Sequence, residues 1–155
     1  MHPAPARERI GGMSTPTRPG LGIQLRFCEE VPLAREAELA GFTRITVGDN
    51  MTDAFAMSGM FAATTQSAEI HTSIVNWTRT PATTALAAST VAKLTGGRFV
   101  LGLGAMPRHW SEDHHGIPYA KPVERMRDYI AAIRACWQAA PRKPVDHEGP
   151  FYALK

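Results

Sequence analysis

The sequence predicts an α/β fold of four βα units, half of a (β/α)8 TIM barrel. Three observations predict it. From Leu21 onward, apolar segments of strand length alternate with longer segments of helical period. Glycines stand where helices must stop, at Gly41 and at Gly96-Gly97. Polar Gln24 and Arg26 alternate with apolar residues on the first strand. Alternating strand and helix implies parallel strands joined by right-handed crossovers. Such units form a small open sheet or close into a barrel of about 250 residues. Gln24 and Arg26 would be costly in a sheet covered by helices on both faces. In a barrel they face an inner cavity, which favours that closure.

Each element has its own signal. Leu21, Ile23, Leu25 and Phe27 fall on one face of the first strand. Val31 to Ala40 reads as a helix with Leu33, Ala37 and Ala40 on one side. Thr43 to Val47 is the second strand, followed by a Gly48-Asp49-Asn50 loop. Asp53 is placed to cap a helix running to about Thr65. Ile70 to Val75 is the third strand, and Pro81 opens a helix running to Leu94. Arg98 to Leu103 is the fourth strand. Pro122 opens the last helix, with an apolar stripe of Val123, Met126, Ile130, Ile133 and Trp137. Glu124, Arg127, Asp128 and Arg134 are expected on its solvent side, and Pro141 at its end. Asp146 to Lys155 reads as the start of a small hairpin.

Bulk properties exclude several functions. The 155 residues are 44% hydrophobic and 20% charged, the balance of a globular domain with a core. The net charge of +3 comes from scattered lysines and arginines, which argues against a nucleic-acid or membrane partner. No apolar run approaches the roughly 18 residues of a membrane span. Cys28 and Cys136 form neither a metal spacing nor a disulfide framework, so a cytoplasmic location is expected. Residues 1–20, with four prolines and no signal-peptide core, read as a disordered tail preceding a domain over 21–155. Met13 is a second candidate start.

In a parallel sheet, ligands bind at the C-terminal ends of the strands. That rule selects the loops at 28–30, 48–53, 76–80 and 104–116. Gly102 and Gly104 share a strand face, so they admit a flat ligand or relieve crowding between strands. Asp49 reads as a base or acceptor, or as a helix-entry residue. Arg79 reads as an anion ligand or, more simply, a solvated loop charge. His109 to His115 holds three histidines and two carboxylates, without a zinc pattern; a polar loop over a pocket is expected and no metal. Trp110 suits a lid or a wall for an aromatic ligand. Hydrolase and kinase motifs are absent from the sequence.

Four segments together resemble a known family. They are Ala40-Gly41-Phe42 before a strand ending in Gly48-Asp49, Thr95 to Ala105, His115-Gly-Ile-Pro118, and Pro122 to Tyr129. In order and spacing, over about residues 21–152, they resemble the luciferase-like monooxygenase superfamily, especially its coenzyme F420-dependent branch. The resemblance implies a (β/α)8 barrel with an F420 or FMN ring in its mouth. It implies hydride transfer or monooxygenation on a small organic substrate. It places a non-proline cis peptide at Ser73–Ile74, and Ser73, Ile74, Asn76, Gly104 and Ala105 against the cofactor. Asp49 and Asn50 are the candidate catalytic positions. The family often has histidine where Asn50 stands, and small residues where Met106-Pro107 stand.

Family members are longer, and the phosphate sites common after strands seven and eight lie beyond four units. Half a barrel has two open strand edges. The expected partner is therefore a second copy or a separate C-terminal half, and the half-barrel alone is expected to be inactive. The alternatives are a non-catalytic fragment acting by association, and a small α/β ligand-binding domain.

Overall fold

The computed structural model describes residues 20–139 and 143–155. The expected tail, apart from Gly20, and the expected stop at Pro141 lie outside the described residues. Four strands form one parallel sheet in the order β1 (Gly22–Gln24), β2 (Arg44–Val47), β3 (Glu69–Thr72), β4 (Phe99–Val100). The helices α1 (Val31–Leu39), α2 (Ala54–Thr64) and α3 (Pro81–Leu94) connect them, and α4 (Pro122–Gln138) follows β4. A short antiparallel hairpin, β5 (His147–Glu148) with β6 (Ala153–Leu154), ends the chain.

The core lies on the helix side of the sheet. Ile45, Val47, Ile70 and Val75 are fully buried there with Phe61 of α2, and Val91 of α3 joins them. Ile23, Ile45, Ile70 and Phe99 are register partners across all four strands. The period of two then puts Gln24, Arg44, Thr46, Glu69, His71 and Val100 on the other face. Gln24, Arg44, Glu69 and Val100 are exposed. Arg26 Nη2 donates to Gln24 Oε1 at 3.2 Å, and His71 Nε2 lies 3.0 Å from Glu69 Oε2. The sequence argument from Gln24 therefore holds: this face of the sheet is largely polar and open.

Helix ends follow their sequence signals. Asp53 Oδ1 accepts the amides of Phe55 and Ala56 at 2.9 and 2.8 Å. After α1, Gly41 has φ +94°, a left-handed turn that favours glycine.

Several expectations need correction. The first strand is shorter than Leu21–Phe27, and Leu21 and Phe27 are exposed at 61% and 43%. It is an edge strand with a neighbour on one side only, although Leu21 O and Leu25 N still bond to the β2 side. The third strand ends at Thr72 rather than Val75, just before a cis Ser73–Ile74 bond. The fourth is regular only at Phe99–Val100, because a side chain interrupts its ladder. Thr72 Oγ1 accepts from Gly102 N at 2.9 Å and donates to Gly102 O at 3.0 Å. Pairing resumes as a single bridge between Val75 and Leu103.

The predicted stripe of the last helix holds at its middle: Ile133 is buried and Met126 packs against the same cluster, while Glu124, Arg127 and Arg134 are exposed as expected. Val123 and Trp137 are exposed at 65% and 47%. The buried residues are Asp128, Tyr129, Ala132 and Ile133. Tyr129 Oη meets Thr84 Oγ1 of α3 at 2.5 Å. Asp128, expected in solvent, accepts the Phe151 and Tyr152 amides at 2.7 and 2.9 Å, and His147 Nε2 lies 2.7 Å away. It fastens the hairpin to α4. Two polar contacts thus add Asp128 and Tyr129 to the buried face and correct the expectation for Asp128.

Candidate cofactor and substrate site

The C-terminal ends of β2, β3 and β4 open into a cleft of about 190 Å3. Gly48, Asp49 and Asn50 come from the end of β2, and Ser73, Ile74 and Asn76 from the end of β3. Ala105, Met106, Pro107 and Trp110 follow β4. Six of the seven predicted site residues thus share one cleft. The seventh, Gly104, stands beside Ala105, and a Cβ there would lie 3.3 Å from the Ile74 side chain.

Close backbone approach builds the wall. A Cβ on Gly48 would meet Ser73 O at 2.5 Å, so glycine lets the ends of β2 and β3 close together. A Cβ on Gly102 would meet Thr72 O at 2.0 Å. Of the two readings of Gly102, relief of crowding is the one the structure bears out. Gly104 contacts a side chain that lines the cleft.

Asp49 is not a free base here. Its Oδ1 accepts Ala54 N at 2.8 Å and Arg79 Nη2 at 3.3 Å, and its Oδ2 accepts Arg79 Nε at 3.0 Å. Arg79 also pairs with Asp53, and its guanidinium lies 5.4 Å from the centre of the Phe55 ring. The expectation of a solvated loop charge at Arg79 is therefore corrected. Sequence reasoning missed this pairing because its partners are 30 and 26 positions away. Burial would draw the Asp53 carboxyl up, but the Ala56 amide and Arg79 outweigh it and hold it below the usual range. Burial would likewise lower Arg79, yet Asp49 and Asp53 raise it.

The asparagines differ. Asn76 is buried, and its Oδ1 accepts Thr78 N at 2.9 Å, which shapes the loop after β3. Asn50 is exposed, and its Oδ1 accepts the adjacent Met51 N at 2.7 Å.

A second, wider cleft of about 600 Å3 adjoins the first and shares Asp49, Asn50, Asn76 and Trp110 with it. Thr52, Thr78, Arg79, His114 and His115 complete much of its lining. The segment expected as a loop winds into a wide helical turn over Trp110–His114. Trp110 stacks on His114 at 6.1 Å between ring centres. Trp110 thus forms a shared wall of both clefts, as a residue facing an aromatic ligand would.

The residues fit a flat heteroaromatic ring. Ile74, Ala105, Met106, Pro107 and Trp110 supply apolar surface, Asn50 supplies a polar group at the rim and buried Asn76 one deeper in. They fit a phosphate less well. Arg79, the one arginine or lysine among the described lining residues, is already neutralised by two carboxylates.

Comparison with known proteins supports the same reading. The model of the luciferase-like monooxygenase family matches residues 8–155. A Mycobacterium tuberculosis protein assigned as a coenzyme F420-dependent oxidoreductase is 34% identical over 142 residues, covering 86% of this chain and 40% of that protein. The F420-dependent tetrahydromethanopterin reductase of Methanopyrus kandleri superposes with a TM-score of 0.75 at 22% identity, covering 88% of this chain and 44% of the other. The oxygenating constituent of 3,6-diketocamphane monooxygenase of Pseudomonas putida, solved with FMN, gives 0.70 at 18% identity, over 87% and 42% of the two chains. The chain spans less than half the length of each of these proteins. Four parallel βα units, a cleft at the strand ends and a family match over nearly the whole sequence agree: the chain belongs to the luciferase-like monooxygenase family.

Proposed function

We propose that this chain is the cofactor-positioning half of an oxidoreductase that uses coenzyme F420 or FMN on a small organic substrate. One observation carries the reading. Asp49, Asn50, Ser73, Ile74, Asn76 and Ala105 come from three separate strand ends and line one cleft. Gly104 backs that cleft through Ile74.

A bound F420 or flavin ring supplies hydride chemistry, and the protein supplies binding and orientation. Ile74 and Ala105 offer the apolar bed for the ring, and Trp110 closes one side against water. Asn76 holds the β3 loop in shape. Asn50, exposed at the junction of the two clefts, meets the substrate as a hydrogen-bonding group without an ionisable proton. Asp49, with both oxygens engaged, positions the loop that carries Asn50. Wider space for substrate lies beside Thr52, Thr78 and His114.

The test is direct titration of FMN and F420 into the folded chain, following ring fluorescence. Saturable quenching by the wild type, weakened by Ala105→Trp, supports the reading. A well-folded sample that binds neither ring sinks it.

A further inference from the structure

We propose that the junction of the two clefts receives the carbonyl oxygen of an uncharged substrate through the side-chain amides of Asn50 and Asn76. This deepens the proposed function by naming the substrate class, and its meaning as a substrate site rests on the smaller cleft holding the ring. Four observations carry it.

First, both asparagines line both clefts, Asn50 from the end of β2 and Asn76 from the end of β3. A group held by them lies where the two spaces meet. Second, the backbone fixes which way each side-chain amide faces. Asn50 Oδ1 accepts Met51 N at 2.7 Å, and Asn76 Oδ1 accepts Thr78 N at 2.9 Å. A backbone N–H can only donate, so the atom it meets is the amide oxygen. Each amide nitrogen is left as a donor, and neither has a partner among the described residues. Asn76 is 2% exposed. Among the described residues, the fully enclosed side-chain atoms without partners are Ser58 Oγ and Trp77 Nε1. The Asn76 nitrogen therefore keeps access to the cleft that its residue lines. A buried donor left unpaired is costly, which favours an acceptor from a ligand. Third, the carboxylate acceptors of the lining are occupied. Each oxygen of Asp49 and Asp53 already accepts a backbone amide or Arg79. The junction thus offers N–H groups to an oxygen of the ligand. Fourth, the fixed charge does not suit an anion. Two carboxylates face one guanidinium there, so a carboxylate or phosphate on the substrate gains no free cation. His114 and His115 line the wider cleft alone. An uncharged carbonyl oxygen satisfies the same donors without that repulsion. Trp110 and Met51 supply apolar surface beside it, which suits a carbonyl carried on an apolar body.

The experiment is NMR of the isotope-labelled full chain, titrated with three probes. They are acetophenone, ethylbenzene, which lacks the oxygen, and benzoate, which carries a charge. Acetophenone is expected to shift the side-chain amide signals of Asn50 and Asn76 saturably, and to bind about tenfold more tightly than either analogue. Asn50→Asp keeps an oxygen for Met51 N and removes the donor. It is expected to erase the preference for acetophenone with unchanged far-UV circular dichroism. Asn50→Leu is expected to do the same without adding charge. Asn50 is exposed, so neither variant disturbs the core. Equal affinity for acetophenone and ethylbenzene, tighter binding of benzoate, or a preference that survives both variants overturns the proposal. So does the absence of a saturable shift up to about 10 mM acetophenone. Binding of FMN and F420 is read separately. Ring binding without carbonyl preference removes this inference alone, whereas carbonyl preference with neither ring bound leaves the carbonyl subsite and removes the cofactor reading.

Discussion

Arg79 joins Asp49 to Asp53, so that the last residues before α2 are held by a side chain from the loop after β3. This bridge ties two of the three strand ends that form the cleft. Replacing Arg79 with Met leaves two carboxylates unpaired beside partly buried surface. Since Asp53 and Arg79 are partly open to solvent, the expected loss is about 1 kcal/mol of stability, measured by urea denaturation. Asp53 is expected to titrate higher in that variant, seen by NMR of its carboxyl carbon.

The two glycines of the fourth segment should respond differently to a methyl group. Gly102→Ala drives a Cβ to within 2.0 Å of a backbone oxygen, and a cost of about 3 kcal/mol is expected. Gly104→Ala meets only the Ile74 side chain at 3.3 Å. It should cost no more than about 1 kcal/mol but reduce affinity for a ring seated against Ile74. Denaturation midpoints and FMN titration separate the two effects.

Glu38 predicts the acid limb of the stability curve. Burial pulls its carboxyl upward, but the amides of Ala68, Ser67 and Gln66 and the Ser67 hydroxyl outweigh it and hold it at about 2. A carboxyl depressed in the folded state stabilises above its unfolded value of 4.5 and loses that contribution as pH falls towards 2. Glu38→Gln is expected to flatten the dependence of stability on pH in that window. Thermal melts between pH 6 and about pH 3 measure it, and an unchanged slope excludes Glu38 as the cause.

The hairpin should come loose without Asp128. Asp128→Ala removes the acceptor of the Phe151 and Tyr152 amides, and rapid exchange of those two amides is expected while α3 and α4 stay protected. Tyr129→Phe, which removes the hydroxyl bonded to Thr84, is expected to cost about 1 kcal/mol.

The sequence foretold the order of elements well because βα alternation, Gly41, Asp53 and Pro81 are local signals. Burial of Leu25 and exposure of Gln24 followed from period two. What was hidden came from long-range polar contacts. The Thr72 hydroxyl meets β4, Asp128 and Tyr129 are buried on α4 by partners in the hairpin and α3, and Arg79 finds partners far along the chain. Single positions such as Asp128 look like surface charge until the element they hold is seen. The cleft itself was legible, since the rule of strand ends selected its loops, whereas the engagement of both Asp49 oxygens was not.

The Thr72 hydroxyl has one further consequence. By accepting from Gly102 N and sharing Gly102 O with the Val75 amide, it acts as a ruler for the wall of the fold. It fixes where β4 stops being wall and becomes rim, and so where Ala105 and Trp110 stand. Shifting this contact by one residue would move the rim by about 3.3 Å along the strand, roughly the thickness of an aromatic ring. Under the proposed function, the depth at which a ring would seat is then set by a threonine outside the cleft lining.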